Sequence, residues 1–236
     1  MSILTEDIMR SFDTFTDLGG AGIGGVMSPK TGGLITLSPR VSAPGFTMDF
    51  DRNEEIYGQE EEADFVYKIV SGVVRTSRML NDGRRQVVAF YYPGDVFGLE
   101  PGELHALSAE AVTDCRVALA RRRSLERAAD RDNGAARDLW ALTARDLQSL
   151  GEHMLLLSRK GATERVAIFL LQLAERTETD RLELPMSRTD IADYLGLTIE
   201  SVSRSMTQLE REGAIALPSA RRVVVRNRDA LDDYAC

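Results

Sequence analysis

The sequence predicts an α+β chain: an N-terminal β-roll of the jelly-roll kind, a long helix, and a C-terminal winged helix-turn-helix. Three observations carry that prediction. Short segments rich in Val, Ile and Tyr, separated by Gly/Pro turns, fill the first half. Near residue 121 the hydrophobic period becomes helical. Two short amphipathic helices joined at a glycine follow within residues 186–215.

The elements follow in order. Residues 1–45 hold eight of the 19 glycines, "GGAGIGG" among them, and show no hydrophobic period. They read as a flexible acidic arm with a short helix near Ile8–Phe15. From Phe46 the chain turns to strands, and residues 46–120 form the roll. "ADFVYKIVSGVVRTSRML" runs into "NDG" at 81–83, a turn that tolerates positive φ. "RRQVVAFYY" returns as the second strand of that hairpin, "PGD" at 93–95 turns again, and "DCRVALA" at 114–120 is a further strand.

Residues 121–158 read as a long helix. Trp140, Leu147 and Met154 lie seven apart, as do Thr143, Leu150 and Leu157, each three beyond a member of the first row. Those are the a and d rows of a seam. Such a helix either packs on its own domain or pairs with a second chain. The strict three-four alternation is narrower than a globular stripe and favours the pair.

Residues 159–236 form the last domain. Ser187 is a good N-cap, and Asp190 three residues on imitates a capping box. Ile191, Ala192 and Leu195 supply the apolar face, and Gly196 accepts the left-handed conformation of a helix end. Thr198 caps a second helix whose Val202, Met206 and Leu209 point inward. Glu200, Ser203, Arg204 and Thr207 are left outside. Such a face is either the solvated side of a plain helical hairpin or the side of a helix that enters the DNA major groove. Arg donates two bonds to guanine O6 and N7, and Glu accepts from cytosine N4. Ser187, Thr198 and Ser201 are placed to donate to phosphates beside helix N-termini. A hairpin follows, with Arg221 and Arg222 at its tip near the DNA backbone.

Charge agrees with this division. The net charge is −8, yet residues 1–64 hold 12 acidic and 4 basic side chains, leaving 25 of each for the rest. Six Arg against three Glu fall within 199–228. No apolar run approaches the ~18 residues of a membrane span. The N-terminus lacks the basic and apolar regions of a secretory signal. Two cysteines, Cys115 and Cys236, exclude a disulfide framework and fit the cytoplasm.

"RTDIADYLGLTIESVSRSMTQLEREGAI" resembles the C-terminal domain of the CRP/FNR superfamily of bacterial transcription regulators, with the closest likeness to its FixK-type branch. "SGVVRTSRMLNDGRRQVVAFYYPGDVFGLE" resembles the sensor domain of the same branch, a cyclic-nucleotide-binding-like roll. The likeness covers roughly residues 46–228. It implies a non-enzymatic regulator whose partners are double-stranded DNA, a second copy of the chain and RNA polymerase. It also implies half-sites of the TTGAT/ATCAA type, read by Glu200, Ser203 and Arg204 as an E-x-x-S-R motif. The branch further implies a role in oxygen-limited metabolism: micro-oxic respiration, nitrogen fixation or denitrification.

The signals used elsewhere in the superfamily lack their residues here. An iron–sulfur cluster needs about four cysteines, and none precedes Cys115. A cyclic nucleotide needs a Gly-Glu-Leu turn and an Arg for its phosphate. Here the turn reads Gly98-Leu99-Glu100, and residues 86–115 contain no Arg or Lys. A buried phosphate without a cation is poorly compensated. His105 reads as a solvated loop residue and His153 as a helix-surface residue, neither in a haem or metal motif. Cys115 reads as a small core residue on its strand, and Cys236 as an exposed terminal thiol. No cofactor is expected. Two rivals remain: a regulator that must first bind a small effector in the roll, and a β-roll metalloenzyme with an accessory helical domain.

Overall fold

A computed structural model describes residues 31–159 and 161–234. The expected helix near Ile8–Phe15 and Cys236 lie outside the described residues. In chain order the strands of the first half are β1 (Thr31–Ser38), β2 (Val41–Phe50), β3 (Glu55–Tyr57), β4 (Phe65–Ser71), β5 (Val74–Met79), β6 (Arg85–Tyr91), β7 (Val96–Phe97), β8 (Ser108–Ala111) and β9 (Cys115–Arg121). Helices α1 (Arg122–Arg131), α2 (Asn133–Ser158) and α3 (Ala162–Thr177) follow. Then come β10 (Arg181–Glu183), α4 (Arg188–Leu195), α5 (Ile199–Arg211), β11 (Ile215–Ser219), β12 (Arg222–Val225) and α6 (Arg228–Asp232). The chain divides into two compact units, one ending at Gly72 and resuming over Tyr92–Leu142, the other made of Val73–Tyr91 and Thr143 onward.

The first unit is built on a five-stranded sheet in the order β1-β2-β9-β4-β7, and β3 pairs with β8 antiparallel. Its core gathers Leu37, Val41, Ala43, Val66, Val96, Ala120, Leu125 and Ala135. Leu139 and Leu142 of α2 pack against that cluster, and Asp138 accepts from Ser38 Oγ at 2.7 Å and Arg40 N at 3.1 Å.

The expectation of an arm through residue 45 fails for residues 31–45, where β1 and the start of β2 form a paired ribbon. Glycine content misled because one of those glycines serves packing rather than freedom. Gly45 sits opposite Ala120 of β9, and a Cβ there would lie 2.0 Å from the Leu119 carbonyl oxygen. The single helix expected over 121–158 is also two. Asp132 is extended between α1 and α2, and its side chain accepts from Gly134 N at 2.8 Å, starting α2 afresh.

His105 is not a solvated loop residue: only 2% of it is exposed. Backbone bonds link His105 to Glu60 and Glu61, each at 2.8 Å, and fold the loop inward. The ring stacks on Tyr57 at 3.6 Å, and Nδ1 lies 3.2 Å from Glu100 Oε1. Cys115 is buried and donates to Thr113 O at 3.0 Å.

In the second unit β5 and β6 form an antiparallel hairpin from Val74↔Tyr91 to Met79↔Arg85. Its turn carries Gly83 at φ +82°. α3 buries Val166, Leu170, Leu173 and Ala174 as the central helix. α4 and α5 follow it, and the three-stranded sheet β10-β12-β11 makes the wing.

Candidate nucleic-acid interface

The two helices of the turn are held by local chemistry. Ser187 Oγ accepts from Asp190 N at 3.1 Å, while Asp190 Oδ2 accepts from Ser187 N at 2.9 Å and Ser187 Oγ at 2.7 Å. Each side chain satisfies a backbone donor that a helix start leaves open. Gly196 ends α4 at φ +61°, its N–H bonded to Ala192 O. Thr198 Oγ1 accepts from Ser201 N at 3.2 Å and starts α5 two residues later. Ile191, Leu195, Val202, Met206 and Leu209 are all buried, so the apolar faces meet under the turn.

α5 then presents the face foreseen in the sequence. Glu200, Ser203, Arg204 and Thr207 are all exposed, at the offsets 0, 3, 4 and 7 of one helix side. The Arg204 guanidinium leans back towards the Glu200 carbonyl at 3.4 Å, and Thr207 Oγ1 donates to Ser203 O at 3.0 Å. The backbone N–H of Glu200, the Thr198 hydroxyl and the Arg204 charge hold the Glu200 carboxyl below its usual value. At neutral pH that group is therefore an acceptor, and Arg204 a donor, side by side.

The residues expected at phosphates stand differently from one another. Thr198 and Ser201 share a hydroxyl contact of 3.0 Å at the exposed start of α5. Ser187 is half-buried and its hydroxyl is committed to Asp190. On the wing, Arg221 is exposed at the turn between β11 and β12, whereas Arg222 pairs with Glu183 at 3.0 Å. Arg188, unremarked in the sequence, carries an Nη1 that is buried without a hydrogen-bond partner, and burial lowers its pKa.

The seam residues of α2 form one exposed edge. Trp140 is 76% exposed, Leu147 70% and Met154 68%, with Thr143 and Leu150 also open and Leu157 half-buried. Leu155, not on either heptad row, is 63% exposed beside them. His153 is not a surface residue. It is buried, stacked on Tyr194 at 4.0 Å with an interplanar angle of 1°, and its Nε2 lies 2.7 Å from Tyr194 O. Among the described residues no helix is long and apolar enough to cross a membrane.

The fold is shared with known proteins. Residues 164–234 fit the Crp-like helix-turn-helix domain and residues 47–132 the Cyclic nucleotide-binding domain. Those domains define a class, the helix-turn-helix transcription regulators. The chain is 51% identical over 197 residues to the nitrogen fixation regulation protein FixK of Azorhizobium caulinodans, covering 81% of this chain and 79% of the relative. It is 42% identical over 192 residues to FixK of Rhizobium meliloti, covering 81% and 88%. The structure of FixK2 from Bradyrhizobium japonicum superposes with a TM-score of 0.77 at 50% identity, covering 80% and 96%. The chain thus belongs to the CRP/FNR family of transcription regulators, in its FixK-like branch, and to a family of regulators rather than enzymes.

Proposed function

We propose that this regulator acts in the cytoplasm as a homodimer on a palindromic site of the TTGAT-N4-ATCAA type. In this reading it is competent without cyclic nucleotide or iron–sulfur cluster, works through RNA polymerase, and controls oxygen-limited metabolism, nitrogen fixation included. The observation that carries the reading is the exposed row Glu200, Ser203 and Arg204 on α5. Arg204 donates to the guanine of each half-site and Glu200 accepts from a cytosine amine, with Ser203 between them. Thr198 and Ser201 meet phosphates at the N-terminus of α5. Ser187 joins them by exchanging its Asp190 bond for a phosphate oxygen. The edge Trp140, Thr143, Leu147, Leu150, Met154 and Leu157 joins two copies, which places two recognition helices in successive major grooves.

Ligand independence is supported by residues present and missing. Glu100, the carboxylate nearest in sequence to a ribose-binding position, is engaged by Ala106 N at 2.7 Å and by His105. No Arg or Lys lies between 86 and 115 to meet a phosphate. A second reading, an effector-gated regulator, is favoured by one observation: His105 Nε2 is buried without a partner, a vacant hydrogen-bond position inside the roll. The physiological role is supported by the FixK relatives.

The test is fluorescence anisotropy of the purified, ligand-free protein in air, on a TTGAT-N4-ATCAA duplex and a scrambled one at fixed salt. Strong preference for the site supports a regulator controlled by its abundance. Equal binding to both duplexes contradicts the ligand-free reading.

A further inference from the structure

The β5–β6 hairpin lies within the residues that match the Cyclic nucleotide-binding domain, yet it belongs to the same compact unit as the helix-turn-helix. Its side chains grip α4 at both ends. At the N-terminal end, Arg85 Nη2 lies 2.6 Å and Arg75 Nη1 3.2 Å from Asp190 Oδ1. The same carboxylate holds Ser187 through its other oxygen. One residue therefore ties the hairpin to the cap of α4. Further along α4, Arg85 Nε donates to Asp193 Oδ2 at 2.9 Å, and Gln86 Nε2 to Asp193 O at 2.7 Å. Phe90 packs against Tyr194 at 5.3 Å between centroids. Tyr91 OH donates to Asp146 of α2 at 3.1 Å, anchoring the hairpin's own base.

Two guanidinium groups face two carboxylates, and the innermost pair is almost dry: the Arg75 side chain is 7% exposed and that of Asp190 6%. Buried pairs contribute little net stability, because desolvation offsets attraction. What they contribute is direction, since each guanidinium fork fixes the angle of its partner. α4 packs on α5 under the turn, so an orientation imposed on α4 passes to the helix carrying Glu200 and Arg204.

We infer that Arg75 and Arg85 of the hairpin are positioning residues for DNA reading: they clamp α4 through Asp190 and Asp193 and thereby set the pose of α5. The inference rests on α5 being the reading helix. Base readout tolerates displacement of only about half an ångström, so a small change in the pose of α5 is read out as lost specificity.

The test uses the full chain with Arg85→Glu, Asp193→Arg and the charge-swapped double variant, alongside Gln86→Ala and Arg204→Ala. For each, affinity for the site duplex is divided by that for a scrambled duplex, and the melting temperature is recorded. The swap restores the 85–193 pair and the net charge, so long-range attraction to DNA cancels between the double variant and the parent, while the contact of residue 85 with Asp190 stays broken. The expected result is a ratio lowered by about tenfold in each charge-reversed single variant, recovered in part in the swap, with dimer mass retained. Gln86→Ala, which removes only a neutral bond, lowers the ratio less and folds in any case. A ratio unchanged in Arg85→Glu, Asp193→Arg and Gln86→Ala, while Arg204→Ala lowers it, overturns the clamp. A ratio unchanged in Arg204→Ala as well removes the reading of α5 on which the clamp rests. A fall in melting temperature with an unchanged ratio assigns the pair to folding alone and also overturns it.

Discussion

Asp190 shows how much one side chain carries here. Burial alone pushes its carboxyl up, but the Ser187 bonds, then Arg75 and Arg85, outweigh that and hold it below its usual value. His153 is the opposite case: burial pushes it down from 6.5, against bonds to the Tyr194 and Val88 carbonyls that favour its charged form. The sign of its pH effect follows. Below about pH 6.5 the unfolded chain takes a proton that the folded imidazole refuses, so stability falls as pH drops through that window. His153→Gln, which keeps a donor for Tyr194 O, should flatten the dependence of the urea midpoint on pH below about 6.5. An unchanged slope would remove His153 from the account. The caps at Ser187, Thr198 and Gly196 were legible in the sequence because their partners lie within four residues. His153 was not, since its partner Tyr194 lies 41 residues away. His105 was missed for a similar reason, because the bonds that bury its loop reach back to residues 60 and 61.

At the scale of elements, periodicity and the NDG turn foretold the β5–β6 hairpin, but not how the other strands pair. β1 was hidden because Gly32 and Gly33 interrupt its alternation, and its pairing with β2 exists only in three dimensions. Gly45 is the testable part. Its missing Cβ lets β2 approach the Leu119 carbonyl, so Gly45→Ala should cost roughly 1–3 kcal/mol by overpacking, read from chemical denaturation. Loss below a few tenths would mean that the ribbon is not seated on β9. The docking of β5 and β6 on α4 was equally illegible, for Arg85 and Asp190 are 105 residues apart. The exposed polar face of α5, by contrast, lies within eight consecutive residues and was visible from spacing.

For the whole molecule, the proposed dimer rests on the exposed edge of α2. An edge with Trp140, Leu147, Met154 and Leu155 all more than 60% exposed is unusual for a monomer. Leu147→Glu should halve the mass found by sedimentation and shift the emission of Trp140, the single tryptophan, to the red as water reaches it. A mass equal to that of the parent would place the dimer contact elsewhere. The heptad rows made this edge legible, although Leu155 falls off both rows and was missed. The measurement that bears most directly on the central claim is a panel of duplexes with each half-site base pair changed in turn, bound by the parent and by Arg204→Ala at one salt concentration. The account predicts that the parent discriminates at the G·C pair by about 1–3 kcal/mol, and that Arg204→Ala loses discrimination at that position alone. A variant that keeps the full discrimination profile of the parent would contradict it.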